Sequence, residues 1–84
     1  MNATNKTIHL TYYAQIREQS GLPGETIKTY ARTAQELYKE LKMRFGLQTS
    51  FDQIKTAVND QFCPGETELK SDDHVVFIPP VSGG

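Results

Sequence analysis

His74-Val75-Val76-Phe77-Ile78-Pro79-Pro80-Val81-Ser82-Gly83-Gly84 closes the chain, and its reading decides the fold. Val75 to Ile78 form the longest strictly apolar run, which predicts a final strand over His74–Ile78. Two prolines cannot donate to a ladder, so Pro79-Pro80 ends the strand. They also favour a stiff, extended exit, leaving 79–84 as a tail. Gly83 and Gly84 have no side chains. They can enter a narrow channel and adopt backbone angles closed to other residues.

Upstream, Ser71-Asp72-Asp73 leads into this strand, and Pro64-Gly65 marks a turn. Ile54–Val58 reads as a strand that Asn59-Asp60-Gln61 turns back into Phe62-Cys63. The clearest helix starts at Thr33-Ala34-Gln35-Glu36, a capping-box sequence in which hydroxyl and carboxylate each satisfy a free backbone N–H. Ala34, Leu37, Tyr38, Leu41 and Phe45 then share one helical face, and Gly46 supplies the stop. Glu25–Tyr30 is rich in Thr, Ile and Tyr and predicts another strand after the turn signal Leu22-Pro23-Gly24. Ala14–Ser20 predicts a short helix stopped by Gly21. Ile8, Leu10 and Tyr12 alternate with His9, Thr11 and Tyr13, so a first strand has one buried face. Residues 1–5 read as a loose tail. The sum is an α+β fold: a mixed sheet with one main helix on one face. Pattern alone does not give the strand order.

With 84 residues, the chain has room for one domain at most. Such a domain has little space for a deep pocket, which argues against a complete small-molecule enzyme. A formal net charge of −1 without a basic stripe argues against nucleic acid. Cys63 is the single cysteine, so an internal disulfide is excluded and a reducing compartment fits. One cysteine also rules out a four-cysteine iron–sulfur site. With only His9 and His74 beside it, no metal site is expected. The polar start and the short apolar runs argue against a signal peptide or a membrane span, so a cytoplasmic, soluble chain is expected.

The chemistry is therefore sought at the terminus. A terminal carboxyl is ionised at neutral pH and is a weak electrophile. Adenylation by ATP would convert it to an activated acyl group, and sulfur transfer would then give a thiocarboxylate. No phosphate-binding glycine-rich loop is present, so another protein must perform the activation.

The ending Phe77-Ile78-Pro79-Pro80-Val81-Ser82-Gly83-Gly84 resembles the small subunits of molybdopterin synthase. Leu10-Thr11-Tyr12-Tyr13-Ala14-Gln15-Ile16-Arg17-Glu18 is similar to that family's first strand and helix. Ala57-Val58-Asn59-Asp60-Gln61 is similar to its central hairpin, and Thr33–Gly46 falls where its long helix lies. The resemblance covers residues 8–84 and implies a ubiquitin-like β-grasp fold. It implies a sulfur carrier with no bound cofactor and no catalytic side chains of its own. An E1-like adenylating enzyme would use ATP to activate Gly84, and a sulfurtransferase would supply the sulfur. The tail Pro79-Pro80-Val81-Ser82 would then carry the thiocarboxylate into the large subunit, in a heterotetramer, to build the dithiolene of molybdopterin. Gly83 would grant steric access. One local departure is Ser71-Asp72-Asp73-His74, where the family often has a Gly-Asp turn.

Strand parity places Tyr13 and Ile78 on the outer sheet face, joined by Phe62, as a partner patch. Arg17 on the short helix is a candidate for a partner salt bridge. His9 and His74 read as solvated strand residues, and Cys63 as a small buried one. Other readings share the tail chemistry: carriers for thiamine thiazole or tRNA thiolation, and ubiquitin-like modifiers. Thiazole carriers tend to lack the Ala14–Ser20 helix. A reading from a different class is a plain interaction module of the same fold with an idle tail.

Overall fold

The computed structural model describes residues 5–80, so expectations for residues 1–4 and 81–84 lie outside the described residues. The order is β1 (Lys6–Tyr12), α1 (Ala14–Ser20), β2 (Gly24–Thr29), α2 (Ala34–Phe45), a 3₁₀ turn at Phe51–Gln53, β3 (Lys55–Val58), β4 (Gln61–Cys63) and β5 (Asp73–Ile78). The five strands form one sheet in the order β2-β1-β5-β3-β4. β1 and β5 lie side by side and run parallel, with Leu10 opposite Val75 and Tyr12 opposite Phe77. The remaining pairings are antiparallel.

The expected period of two holds along β1, where Ile8, Leu10 and Tyr12 are buried while Thr7, His9 and Thr11 are not. Val75 and Phe77 continue that buried face on β5. Against it lie Leu37, Tyr38 and Leu41 of α2 and Ile16 of α1, in one core with Leu47, Ile54 and Leu69. Each large apolar side chain removed from water contributes about 1.5–3 kcal/mol. Phe45 stands half in this core, its ring edge-on to Tyr12 at 5.8 Å. The Tyr38 ring meets Phe77 at 5.3 Å and Phe51 at 5.6 Å. The 3₁₀ turn, which periodicity cannot reveal, thus supplies an aromatic wall.

The first turn of α2 has every reason to form where it does. Four N–H groups at a helix start lack helical partners. The Glu36 N–H donates to Thr33 Oγ1 at 3.2 Å, as the capping box requires. The Ala34 N–H donates to the Thr67 carbonyl, and the Gln35 N–H to the Gly65 carbonyl. The Glu36 carboxylate accepts from Arg32 N–H at 2.8 Å, one residue before the expected cap. Gly46 ends the helix with φ of 67°, and Gly21 ends α1 with φ of 75°.

Several strand boundaries differ from the sequence reading, among them β4, which begins at Gln61 instead of Phe62. β2 begins at Gly24 and ends at Thr29, where Glu25–Tyr30 was expected. Gly24 lies against β1, and a Cβ there would stand 2.4 Å from the Leu10 carbonyl oxygen. The residue read as part of a turn is therefore a point of close strand approach. β3 starts at Lys55 because Ile54 closes the 3₁₀ turn through an N–H bond to Phe51 O. β5 starts one residue early, at Asp73.

The β3–β4 loop has positive φ at both Asn59 (53°) and Asp60 (71°). That is the requirement of a two-residue hairpin, and Asn and Asp tolerate it. Asp72 takes φ of 73° where the resembled family often uses glycine, and its N–H donates to the Thr7 carbonyl.

Candidate functional site

Because β1 and β5 are parallel, the end of β1 and the end of β5 leave the sheet together. Tyr13 and α1 follow the first; Pro79 and Pro80 follow the second. The root of the tail is thus set beside α1. Tyr13, Ala14, Gln15, Glu18, Ile78, Pro79 and Pro80 line a groove of about 470 Å³ there. Ala14 carries φ of 50°, a left-handed angle that costs a non-glycine residue about 1–2 kcal/mol. Sequence gave no sign of this strained entry into α1.

Of the residues named from sequence, Pro80 is exposed but Pro79 is buried within the chain. Pro79 thus packs inward at the tail root while still lining the groove. β5 carries it onto the core side, one step beyond Ile78. Arg17 is exposed on α1, and it forms no ion pair among the described residues. Val81, Ser82, Gly83 and Gly84 lie outside the described residues.

The outer sheet face is ordered in rows across the strands. Val76 stands between Thr11 and Ala57, and Ala57 faces Phe62. Ile78 faces Lys55 in the next row toward the tail. Phe62 is 71% exposed and Tyr13 50%, while Ile78, Val76 and Ala57 are half-buried. Phe62 and Ile78 do share a face, and Val76 and Ala57 are the residues that join them. Sequence reasoning missed both, although Val76 lies two residues before Ile78. Lys55 Nζ stands 5.9 Å from the centre of the Phe62 ring.

Away from the tail the same face turns polar. His9 lies opposite His74. His9 Nδ1 is 3.1 Å from Thr26 Oγ1, and its Nε2 is 3.4 Å from Asp72 Oδ1. His74 Nε2 is 2.7 Å from Thr11 Oγ1. Both sit on the solvent side of the strands. Cys63 is half-buried. No group of three His, Cys, Asp or Glu side chains among the described residues is placed to hold a metal. No helix among them is long and apolar enough to cross a membrane.

The shifted titrations belong to the core side. Burial, then a hydrogen bond from its hydroxyl to Glu25, holds the Tyr12 phenol far above its ordinary value. Burial likewise raises Tyr38, whose hydroxyl donates to the Thr49 carbonyl at 2.7 Å. Glu25 also takes a two-pronged contact from Arg44, at 2.9 and 3.0 Å. The Glu25–Arg44 pair fastens α2 to β2, and Tyr38 ties α2 to the loop that follows it.

A small mixed sheet, one main helix across one face and a tail leaving the central parallel pair define the ubiquitin-like β-grasp class. Small archaeal modifier protein 1 of Methanosarcina acetivorans shares this fold with a TM-score of 0.75 at 19% identity, over 96% of this chain and 99% of its own. The ThiS family description matches residues 10–84, and the chain belongs to that family. It is 31% identical to the molybdopterin synthase sulfur carrier subunit of Drosophila melanogaster over the whole of both chains. It also resembles one chain of a solved complex of subunits 1 and 2 of the molybdopterin-converting factor of Helicobacter pylori. There the TM-score is 0.61 at 26% identity, over 93% of this chain and 99% of that one.

Proposed function

We propose that this chain is the sulfur carrier subunit of a molybdopterin synthase, a single domain whose working group is the Gly84 carboxylate. The carboxylate attacks the α-phosphate of ATP in an E1-like partner, and pyrophosphate leaves. The terminal persulfide sulfur of a sulfurtransferase then displaces AMP from the acyl-adenylate, and a thiol cleaves the acyl disulfide so formed, giving a thiocarboxylate and a disulfide. In the large subunit this sulfur passes to the pyranopterin precursor, and water returns Gly84 to a carboxylate. Two such donations build one dithiolene.

The scaffold presents the tail and performs no catalysis itself. Gly83 and Gly84 leave the backbone narrow enough for a partner's channel. Ser82, Val81 and Pro80 supply the reach, and Pro79 fixes its origin. Tyr13, Ile78 and Phe62, with Val76 and Ala57 between them, form the face on which the large subunit and the activating enzyme dock in turn. Arg17 flanks that face. A two-plus-two assembly of small and large subunits fits this division of labour.

The single observation that carries the reading is end-to-end likeness to sulfur carrier subunits, with the paired glycines at the last two positions. Co-expression with the adenylating enzyme and a sulfurtransferase tests it. Intact-mass measurement is expected to show one oxygen-to-sulfur exchange at Gly84. The thiocarboxylated chain, mixed with the large subunit and precursor, should then yield the dithiolene. A chain extended by one residue past Gly84 should keep its fold and lose the exchange; an untrimmed extension that works fully would refute the proposal.

A further inference from the structure

The sheet ends at β4, its edge strand, and an open groove of about 520 Å³ lies between β4 and the 3₁₀ turn. Phe51, Ile54 and Pro64 give it apolar walls. The Phe51 wall is fixed in place. Its ring packs on Tyr38 and Phe77, and it lies so close to Gly65 that a Cβ there would collide with it. Thr56 and Cys63 line the same groove and stand opposite one another across the β3–β4 ladder. Side chains directly opposite in an antiparallel pair leave the sheet on one face, with Cβ atoms about 4.5–5.5 Å apart. Cys63 is half-buried and carries the single thiol of the chain. Thr56 is 4% exposed, and its Oγ1 is the one buried side-chain polar atom among the described residues without a hydrogen-bond partner. A buried hydroxyl left unpaired is costly and uncommon in folded chains. Charge stays at the rim, with Asp52 bonded to the Ser50 hydroxyl and Lys55 over the Phe62 ring. The walls themselves carry none, so an ion entering the groove would trade water for apolar surface.

We infer that this groove is a covalent binding site for small neutral α,β-unsaturated carbonyl compounds, with Cys63 as nucleophile and Thr56 as hydrogen-bond donor. The thiolate sulfur of Cys63 attacks the β-carbon of the compound, and one carbon–sulfur bond forms. The alkene π electrons move toward the carbonyl oxygen. A proton equivalent to the one released by the thiol is then taken up at the α-carbon. Nothing is oxidised and no group leaves. Negative charge gathers on the carbonyl oxygen as the bond forms, and a donor already in place there lowers the barrier. The Thr56 hydroxyl can serve because it has no other partner to give up. The span from the attacked carbon to the carbonyl oxygen suits two side chains that face each other across a ladder. Selectivity comes from the walls and that donor. The sulfur-transfer cycle uses neither residue, so the site stands apart from the chemistry of the tail.

Intact-mass kinetics on the full chain tests this with two reagents that share one reactive group. N-ethylmaleimide is neutral, and 3-maleimidopropionic acid carries a carboxylate. Relative to the same chain unfolded in urea, folding should raise the neutral-to-charged rate ratio about tenfold, because the charged reagent must shed water to meet apolar walls. Thr56→Val keeps the shape and removes the donor. It should slow N-ethylmaleimide about fivefold, the weight of one hydrogen bond, and leave the rate with allyl bromide, which has no carbonyl, unchanged. Thr56→Ser should restore the parent rate, and Cys63→Ser should take up neither maleimide. A neutral-to-charged ratio that is the same in folded and unfolded chain overturns the inference, and so does a slowing in Thr56→Val that allyl bromide shares. In either case Cys63 is a partly shielded thiol and nothing more.

Discussion

The two faces of one sheet are made by the same strands and behave oppositely. On the inner face, Ile8, Leu10, Tyr12, Val75 and Phe77 are sealed by α2 and α1. On the outer face, Thr11, Val76, Ala57, Ile78 and Phe62 have nothing over them among the described residues and stay partly or largely exposed. Alternation along each strand sends neighbours to opposite fates, so a residue's role is set by parity as much as by chemistry. Val75 holds the domain together, while Val76, one residue on, is available for recognition. Stability should therefore be lost from one face and partner binding from the other.

The largest break of that contrast is Phe77→Ala. Phe77 is 1% exposed and meets Tyr38, so its removal should cost about 3–5 kcal/mol in chemical denaturation. A smaller loss is expected from Thr33→Ala, which removes the cap of the helix that seals the inner face. Denaturation should register about 1 kcal/mol, with the sheet unchanged by circular dichroism.

Alkaline titration sharpens the comparison without touching the outer face. Tyr12 and Tyr38 have raised values in the folded chain, so folding holds their protons more tightly than the unfolded chain does. Their contribution is complete below about pH 10, the ordinary phenol value, and is lost as pH rises beyond it. Thermal melts above that point should fall more steeply for the parent than for Tyr12→Phe. The smallest effect on stability is expected for Phe62→Ala, within about 0.5 kcal/mol of the parent. The same substitution should weaken association with the large subunit by about tenfold or more, as loss of an exposed aromatic anchor does. A Phe62→Ala chain that melts early but binds normally would reverse the assignment of the two faces.

Much of this was legible in the residues. The inner positions of β1 follow from strict alternation, and both helices end where glycine can take a left-handed angle. The turn at Asn59-Asp60-Gln61 announces itself by residue type, although Gln61 opens β4. Less legible were features that depend on contacts distant in sequence. Gly24 reads as turn punctuation, and only the approach of the Leu10 carbonyl shows why the strand needs it. Phe51 has no periodic partners, so its place between Tyr38 and Phe77 could not be foreseen. Val76 and Ala57 entered the outer patch only when β3 was seen to lie beside β5. The burial of Pro79 likewise depends on packing that no local pattern contains.

By itself the sequence determined the local elements, the α+β class and the likeness at the chain's end. Those depend on side-chain alternation, capping chemistry and the backbone freedom of particular residues, all short-range properties. Tertiary structure alone decided the order β2-β1-β5-β3-β4, the parallel seating of β5 beside β1 and the meeting of His9 with His74. Strand neighbours are chosen by the summed burial of the whole core, and no local stretch of chain contains that sum.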